Sequence, residues 1–180
     1  MIRRFAVVLF LALSAAAQSP TLDQRVDELL ARMTLEEKLG QLLQYTPSPE
    51  VRDRVAKGAV GSVFGIGSAR EVNELQRAAV NETRLKIPLL IANDVIHGYR
   101  TIFPIPPGIA STWDPDSAEL AARVAAREAS AAGTRWTFAP MVDIARDPRW
   151  GRITEGAGED PFLGAAFARA RVRGFQGADY

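Results

Sequence analysis

Residues 144–161, IARDPRWGRITEGAGEDP, place seven charged side chains, one Trp and three Gly in eighteen consecutive positions. The stretch lies between an apolar run and an apolar helical pattern, which predicts a loop. Arg152 is its candidate functional residue, because a guanidinium presents a planar fork of donors and Gly151 lets the backbone pass close to a ligand. The alternative is an ion pair that only holds the loop in shape, with Glu155, Glu159 or Asp143 as the partner. Both can be true at once.

Asp94 is the second candidate, in the stretch IANDVIHG. It lies two positions past the end of an expected strand, and such positions are catalytic or binding sites in α/β barrels. Its carboxylate can accept two hydrogen bonds at once, which suits a pair of neighbouring hydroxyl groups. The alternative is an Asx-turn that closes the strand.

Short apolar runs and well-marked helix starts predict an alternating α/β chain. Three strands are predicted at 59–64, 88–92 and 136–139, and helices at 22–32, 35–44, 49–57, 69–84, 115–132 and 161–173. Capping boxes are predicted at Thr21, Thr34 and Ser68, and caps before a proline at Ser48, Asp114 and Asp160. Helix ends are predicted at Gly58, Gly133 and Gly174.

Strands that alternate with helices form a parallel sheet, so the carboxyl ends of all three strands share one face. Two loops of about twenty residues, 93–113 and 140–160, leave the sheet there. Loops of that length are usually functional, because ordinary connections have two to six residues. Asp94 and Arg152 therefore belong to one predicted binding face. Three strands alone would leave an unpaired edge and an uncovered apolar face.

The amino terminus predicts a secretory signal peptide over residues 1–17. It has a basic start at Arg3 and Arg4, an apolar stretch too short to span a bilayer, and alanines before Gln18. Its removal lowers Lys+Arg from 22 to 20 against 21 acidic residues, which leaves a net charge of −1. We expect a periplasmic or secreted protein with no membrane segment in its mature form. An uncleaved anchor is the alternative.

The charge balance and the lack of cysteine exclude several function classes. A net charge near zero provides no basic face for nucleic acid. A chain without cysteine has neither disulfides nor thiolate metal sites. His97, the single histidine, is expected to be packed and hydrogen-bonded, so we predict no metal site. Trp113 and Trp150 could stack on a ligand ring, whereas Trp136 is expected in the core.

Three stretches carry a specific resemblance: MTLEEKLGQL (33–42), IPLLIANDVIHGYRTIFP (87–104) and FAPMVDIARDPRWGRITEGAGEDPFL (138–163). They resemble, in order, the N-terminal barrel domain of glycoside hydrolase family 3, of the β-glucosidase and β-xylosidase type. The chain departs from the family pattern at Ala157, where an aromatic residue is more frequent, and at Asn93, where larger apolar residues are frequent. Neither position is one of the two candidate residues.

The resemblance implies a retaining glycosidase that removes a terminal β-D-glucosyl or xylosyl residue and needs no cofactor. On the matching positions, Asp94 and Arg152 would bind hydroxyls of the same terminal sugar, with an oligosaccharide or glycoside as substrate. Glu155, Glu159 and Asp160 are expected to orient the loop or cap the next helix.

The family's Lys-His pair, nucleophilic Asp and acid/base Glu are expected beyond Tyr180, so no residue here is assigned a catalytic role. The resemblance thus implies the leading part, residues 18–180, of an incomplete (β/α)8 barrel. This part is expected to be inactive alone, and its partner would be the remainder of the same polypeptide. Alternatives are the N-acetylglucosaminidase branch of the family and a non-catalytic sugar-binding module.

Overall fold

A computed structural model of the chain describes residues 19–177, and its sheet has four parallel strands in the order β1-β2-β3-β4. The strands are β1 (Gln44–Tyr45), β2 (Ser62–Phe64), β3 (Leu90–Asn93) and β4 (Trp136–Thr137). In the register, Val63 pairs with Tyr45 and Ile91, and Ala92 pairs with Trp136. The carboxyl ends of all four strands therefore meet at one edge of the sheet.

Seven helices and one 3₁₀ turn accompany the strands in the described part of the chain. The helices are α1 (Leu22–Arg32), α2 (Leu35–Gln41), α3 (Val51–Ala56), α4 (Ala69–Glu82), α5 (Pro106–Ala110), α6 (Pro115–Ala131) and α7 (Pro161–Gln176), and the 3₁₀ turn is Ile153–Glu155. Helix α1 belongs to a unit of its own that ends at Met33. None of the helices within 19–177 is long and apolar enough to cross a membrane. The predicted signal peptide, 1–17, lies outside the described residues.

Most predicted helix starts are confirmed. Thr21 and Thr34 form complete capping boxes, and Asp114 and Asp160 cap helices that begin with proline. Ser68 accepts a hydrogen bond from the Glu71 backbone N–H, which is half of the predicted box. The helix predicted at 49–57 begins only at Val51, and no side chain caps it.

The prediction of three strands is wrong, because the helix predicted at 35–44 ends at Gln41. The N–H groups of Gly61 and Ser62 both donate to the Leu43 carbonyl, at 3.1 and 3.2 Å. Because of these hydrogen bonds, the chain leaves the helix after Gln41, and Gln44 and Tyr45 pair with the next strand. The side-chain pattern of residues 42–44 alone would have continued the helix. Helix α5, within the long loop after β3, was also not predicted from the sequence. It has only five residues, and two prolines and Gly108 among them leave no helical pattern to recognise.

The main core lies on one face of the sheet, against α3 and α4. Val63 and Ile91 point into it and are fully buried. Side chains alternate along a strand, so Leu90, Trp136 and Phe138 share the opposite face, where they are 43%, 39% and 45% exposed. The Trp136 and Phe138 rings pack with centroids 4.7 Å apart. The expectation that Trp136 belongs to the core is therefore wrong for this chain.

Helices α6 and α7 pack closely because their contact surface is built from small residues. On α6 this surface consists of alanines at helical spacing, Ala118, Ala121, Ala122, Ala125, Ala126 and Ala129. Gly174 of α7 lies directly against it, and a Cβ there would meet the Glu119 carbonyl oxygen and come within 2.7 Å of the Ala122 Cβ. The prediction that Gly174 ends its helix is wrong. The helix ends at Gly177, with φ 53°, and Gly174 serves as a contact residue.

Gly174→Ala should lower the free energy of unfolding by about 1–3 kcal/mol, because an added methyl group overpacks a closed helix contact. Denaturant unfolding of the full-length protein measures the change. Gly67→Ala is the matched control, since a Cβ at Gly67 meets nothing within 4 Å. Equal stability of the two variants would contradict the close α6–α7 contact.

Candidate active site

Asp94 and Arg152 lie in the two loops that leave adjacent strands, the β3 loop (94–114) and the β4 loop (138–160). Asp94 directly follows β3, one position closer to the strand than predicted. The two strands stay joined past their ends, since the Phe138 N–H donates to the Asn93 carbonyl at 3.4 Å and the Val95 N–H donates to the Thr137 hydroxyl at 3.3 Å. Asp94 is therefore fixed at the carboxyl edge of the sheet, beside the start of the loop that carries Arg152.

The Asp94 side chain is exposed. Within residues 19–177 its carboxylate accepts no hydrogen bond, so the Asx-turn alternative does not hold there. Asx-type bonds are seen at other aspartates, such as Asp147, which accepts from the Arg149 N–H at 2.9 Å. Asp94 is thus exposed, and the described residues leave the acceptor capacity of its carboxylate unused.

Arg152 makes a two-pronged ion pair with Glu155. Its Nε and Nη2 donate to the two carboxylate oxygens at 2.9 and 2.7 Å. Of the three partners weighed from the sequence, Glu155 is the one that forms the pair. The 3₁₀ turn Ile153–Glu155 brings the partners together, because i and i+3 side chains lie above one another in such a turn.

The charge of Asp94 reaches the Arg152 guanidinium. The hydrogen bond to Glu155 raises the pKa of Arg152 above its ordinary value, and the negative charges of Glu155, Asp143 and Asp94 raise it further. The common location of Asp94 and Arg152 follows from the sheet, because their loops leave the neighbouring, parallel strands β3 and β4 at the same edge.

The remaining charges of the β4 loop brace it. Arg149 donates from Nε and Nη2 to Asp147 at 3.0 and 2.7 Å. The Ala145 N–H donates to the Gly158 carbonyl at 3.0 Å, which closes the base of the loop. Asp160 accepts from the Leu163 N–H at 2.6 Å and caps α7, as expected, whereas Glu159 is exposed.

The β3 loop is held by residues that sequence reasoning missed. Glu128 on α6 accepts hydrogen bonds from the backbone N–H groups of Arg100 and Thr101, both at 2.8 Å. Arg171 on α7 donates to the Ile96 carbonyl, and its guanidinium lies 5.9 Å from the Phe175 ring centre. No pattern in the sequence marks either residue, because each contact joins positions far apart along the chain.

Arg171 is a buried charge, with 8% of its surface exposed. No carboxylate within residues 19–177 forms a salt bridge with it, and burial lowers its pKa to about 10. Its donation to Ile96 therefore replaces part of the hydration that burial removes. The contact ties the base of the β3 loop to the helix that follows the β4 loop.

The site offers groups that bind neutral polar ligands. One guanidinium, two nearby carboxylates and a mostly exposed surface can donate to and accept from hydroxyl groups. His97 is packed as expected, and its Nδ1 lies 3.0 Å from the Phe103 carbonyl oxygen, which requires a proton on Nδ1. Among the described residues, no group of His, Asp and Glu is arranged to hold a metal ion.

The ion pair between Arg152 and Glu155 predicts a measurable change in the pKa of the Glu155 carboxyl group when Arg152 is removed. Arg152 holds the pKa of Glu155 below its ordinary value of 4.5. The pair therefore stabilises the loop fully above that value, and this contribution is lost as the pH falls through the lowered pKa.

Arg152→Ala should return the Glu155 pKa to about its ordinary value, read from carboxyl ¹³C shifts in the acid range. Arg149→Ala, which removes the Asp147 pair, is the control and should leave it unchanged. A Glu155 pKa that stays low without Arg152 would contradict the pairing.

Comparison with known proteins identifies the family. Residues 34–180 match the glycosyl hydrolase family 3 N terminal domain. The chain is 41% identical to a periplasmic β-glucosidase of Salmonella typhimurium over 86% of its own length and 21% of the relative's. It is 30% identical to a lysosomal β-glucosidase of Dictyostelium discoideum over 87% of its own length and 23% of the relative's.

A solved structure gives the same result. The chain superposes with a TM-score of 0.81, at 39% identity, on the β-glucosidase from Listeria innocua in complex with glucose. The match covers 88% of this chain and 24% of that protein. The chain thus spans about a fifth to a quarter of the length of these relatives. It belongs to glycosyl hydrolase family 3, and its parallel sheet is part of the N-terminal barrel domain of that family.

Proposed function

We propose that this chain is part of a retaining β-glucosidase-type enzyme and that Asp94 and Arg152 bind the sugar whose glycosidic bond is cleaved. The observation that supports the proposal most strongly is their position at the carboxyl edge of the sheet, in the two loops that leave the neighbouring strands β3 and β4. The family membership and the β-glucosidase relatives support the reaction class. A Listeria innocua relative was solved with glucose, which supports a glucosyl ligand.

The two side chains are complementary to a pyranose. A carboxylate with both oxygens unused can accept from two neighbouring hydroxyls, and a guanidinium can donate to hydroxyl oxygens of the same ring. Such contacts accelerate cleavage only if they strengthen as the ring approaches an oxocarbenium-like state. We infer that Glu155 keeps Arg152 in place for this contact. The pair uses Nε and Nη2 of Arg152, so Nη1 is the nitrogen that would donate to the sugar.

The chemical step needs two further carboxyl groups, a nucleophile that forms a glycosyl-enzyme and an acid that protonates the leaving oxygen. We propose that both come from parts of the polypeptide outside residues 1–180. Two carboxylates of the β4 loop have other roles: Glu155 pairs with Arg152, and Asp160 caps α7. Residues 1–180 alone should accordingly release no nitrophenol from an aryl glucoside.

A xylosyl substrate is the second candidate, because a β-xylosidase of Formosa agariphila is 29% identical over 87% of this chain. A periplasmic or secreted location is also proposed. It rests on the sequence pattern of residues 1–17 and on the periplasmic β-glucosidase relative.

Asp94→Ala in the full-length protein should lower kcat/KM for 4-nitrophenyl β-D-glucopyranoside by about 100-fold or more, because two hydrogen bonds to a charged acceptor are lost. The melting temperature should stay within about 2 °C, since an exposed side chain without internal partners contributes little to stability. Steady-state kinetics and calorimetry measure the two quantities.

Asp53→Ala on α3 is the matched control. It removes an exposed aspartate that lies outside the two loops carrying Asp94 and Arg152, and it should leave kcat/KM within about twofold. A loss below about fivefold in Asp94→Ala would remove Asp94 from the sugar site. A full-length protein that releases no nitrophenol from either the glucoside or the xyloside would refute the reaction class.

A further inference from the structure

Residues 97–103 form a closed hairpin immediately after Asp94. The Phe103 N–H donates to the His97 carbonyl at 2.8 Å, and the His97 ring lies 3.0 Å from the Phe103 carbonyl oxygen. Gly98 and Ile102 form an antiparallel bridge. Gly98 has φ 123°, and a Cβ there would collide with the Thr101 carbonyl oxygen, so the hairpin requires glycine.

One carboxylate holds the tip of this hairpin. An oxygen of Glu128 accepts from the backbone N–H groups of Arg100 and Thr101 at 2.8 Å each, and the other oxygen accepts from the Thr101 hydroxyl at 2.7 Å. Successive N–H groups that converge on an anion form a nest, and charged acceptors make the stronger hydrogen bonds. Hydrogen bonds from the Thr101 side chain and backbone are the main cause that lowers the pKa of Glu128.

The hairpin is close in sequence to Asp94, and the two connecting residues are fixed. Val95 is 1% exposed, and its N–H donates to Thr137 of the neighbouring strand. The Ile96 carbonyl accepts from buried Arg171. The hairpin and the backbone of Asp94 are therefore joined by a rigid segment, with no flexible linker between them, so the two are positioned as one unit.

We propose that Glu128 is a positioning residue for sugar binding: by holding the tip of the 97–103 hairpin against α6, it sets the direction in which the Asp94 carboxylate faces the ligand. This inference rests on the proposed function of Asp94. Glu128 itself lies on α6 and contacts the backbone N–H groups of Arg100 and Thr101 and the Thr101 hydroxyl, so it acts through the loop.

A structural role alone would lower stability and leave the kinetics of the folded enzyme unchanged. A positioning role predicts a kinetic loss that depends on Asp94. The two are separated by a double-mutant cycle, since effects that act through one group are not additive. The cycle compares Glu128→Ala in the parent protein with Glu128→Ala in the Asp94→Ala background.

In the full-length protein, Glu128→Ala should lower kcat/KM for 4-nitrophenyl β-D-glucopyranoside by about 10- to 100-fold, a loss typical of a misplaced binding group. In the Asp94→Ala background the same change should have less than about a twofold effect. Glu128→Gln should lose less than Glu128→Ala, because its amide oxygen can still accept from both backbone N–H groups.

Glu119→Ala is the matched control, because Glu119 lies on the same helix and pairs with Arg123 and Arg173 instead of the hairpin. It should leave kcat/KM within about twofold. If Glu128→Ala does not fold, Thr101→Val removes one of the three hydrogen bonds and should show a smaller kinetic loss with the same dependence on Asp94.

Additive losses from the Glu128 and Asp94 changes would overturn the inference, and so would a folded Glu128→Ala enzyme with parental kcat/KM. Both results leave the proposed function intact as long as Asp94→Ala is severely impaired. An Asp94→Ala enzyme with parental activity would instead refute the proposed function of Asp94.

Discussion

The parallel pairing of β3 with β4 is the constraint on which the site depends. Ala92 pairs with Trp136 and Asn93 with Thr137, so the two longest loops leave the sheet from neighbouring positions and in the same direction. The loops meet again further out, where α5 contacts the 3₁₀ turn beside Arg152. A shift in the register between β3 and β4 would move Asp94 away from Arg152 even if both loops kept their conformation.

The packing of β2 and β3 against helices on one face of the sheet helps to keep the strand register in place. Val63 and Ile91 anchor β2 and β3 in the core, and alanines with Gly174 let α6 and α7 approach each other closely. Helix α6 then supplies Glu128 to the β3 loop, while α7 supplies Arg171 to the same loop. The two helices therefore hold the β3 loop through the side chains of Glu128 and Arg171, and the backbones of these residues are fixed by the contact between α6 and α7.

Charges in the loops determine geometry more than stability. The pairs Arg149–Asp147 and Arg152–Glu155 are exposed, and such pairs contribute little to the free energy of unfolding. Each pair is local in sequence and two-pronged, which restricts the direction of the guanidinium. Much of the charge in residues 144–161 is explained by this self-bracing, with Arg152 held at the rim by its own turn.

Local signals made much of the fold predictable. Capping residues marked five helix starts correctly, and apolar runs located β2, β3 and β4, so the parallel sheet and its two long loops followed. Strand β1 was missed because the Leu43 carbonyl pairs with Gly61 and Ser62, a distant contact that overrides a helical pattern. Asp94 and Arg152 could be chosen from their positions after strands. Glu128 and Arg171 could not, since their partners lie at least 27 residues away.

A crystal structure of the full-length protein with glucose bound tests the central claim most directly. We expect one pyranose ring at the carboxyl edge of the sheet, with an Asp94 oxygen and an Arg152 nitrogen each within about 3.2 Å of its hydroxyl groups. Glucose bound at that edge with either side chain turned away from the ring, or bound elsewhere altogether, would contradict it.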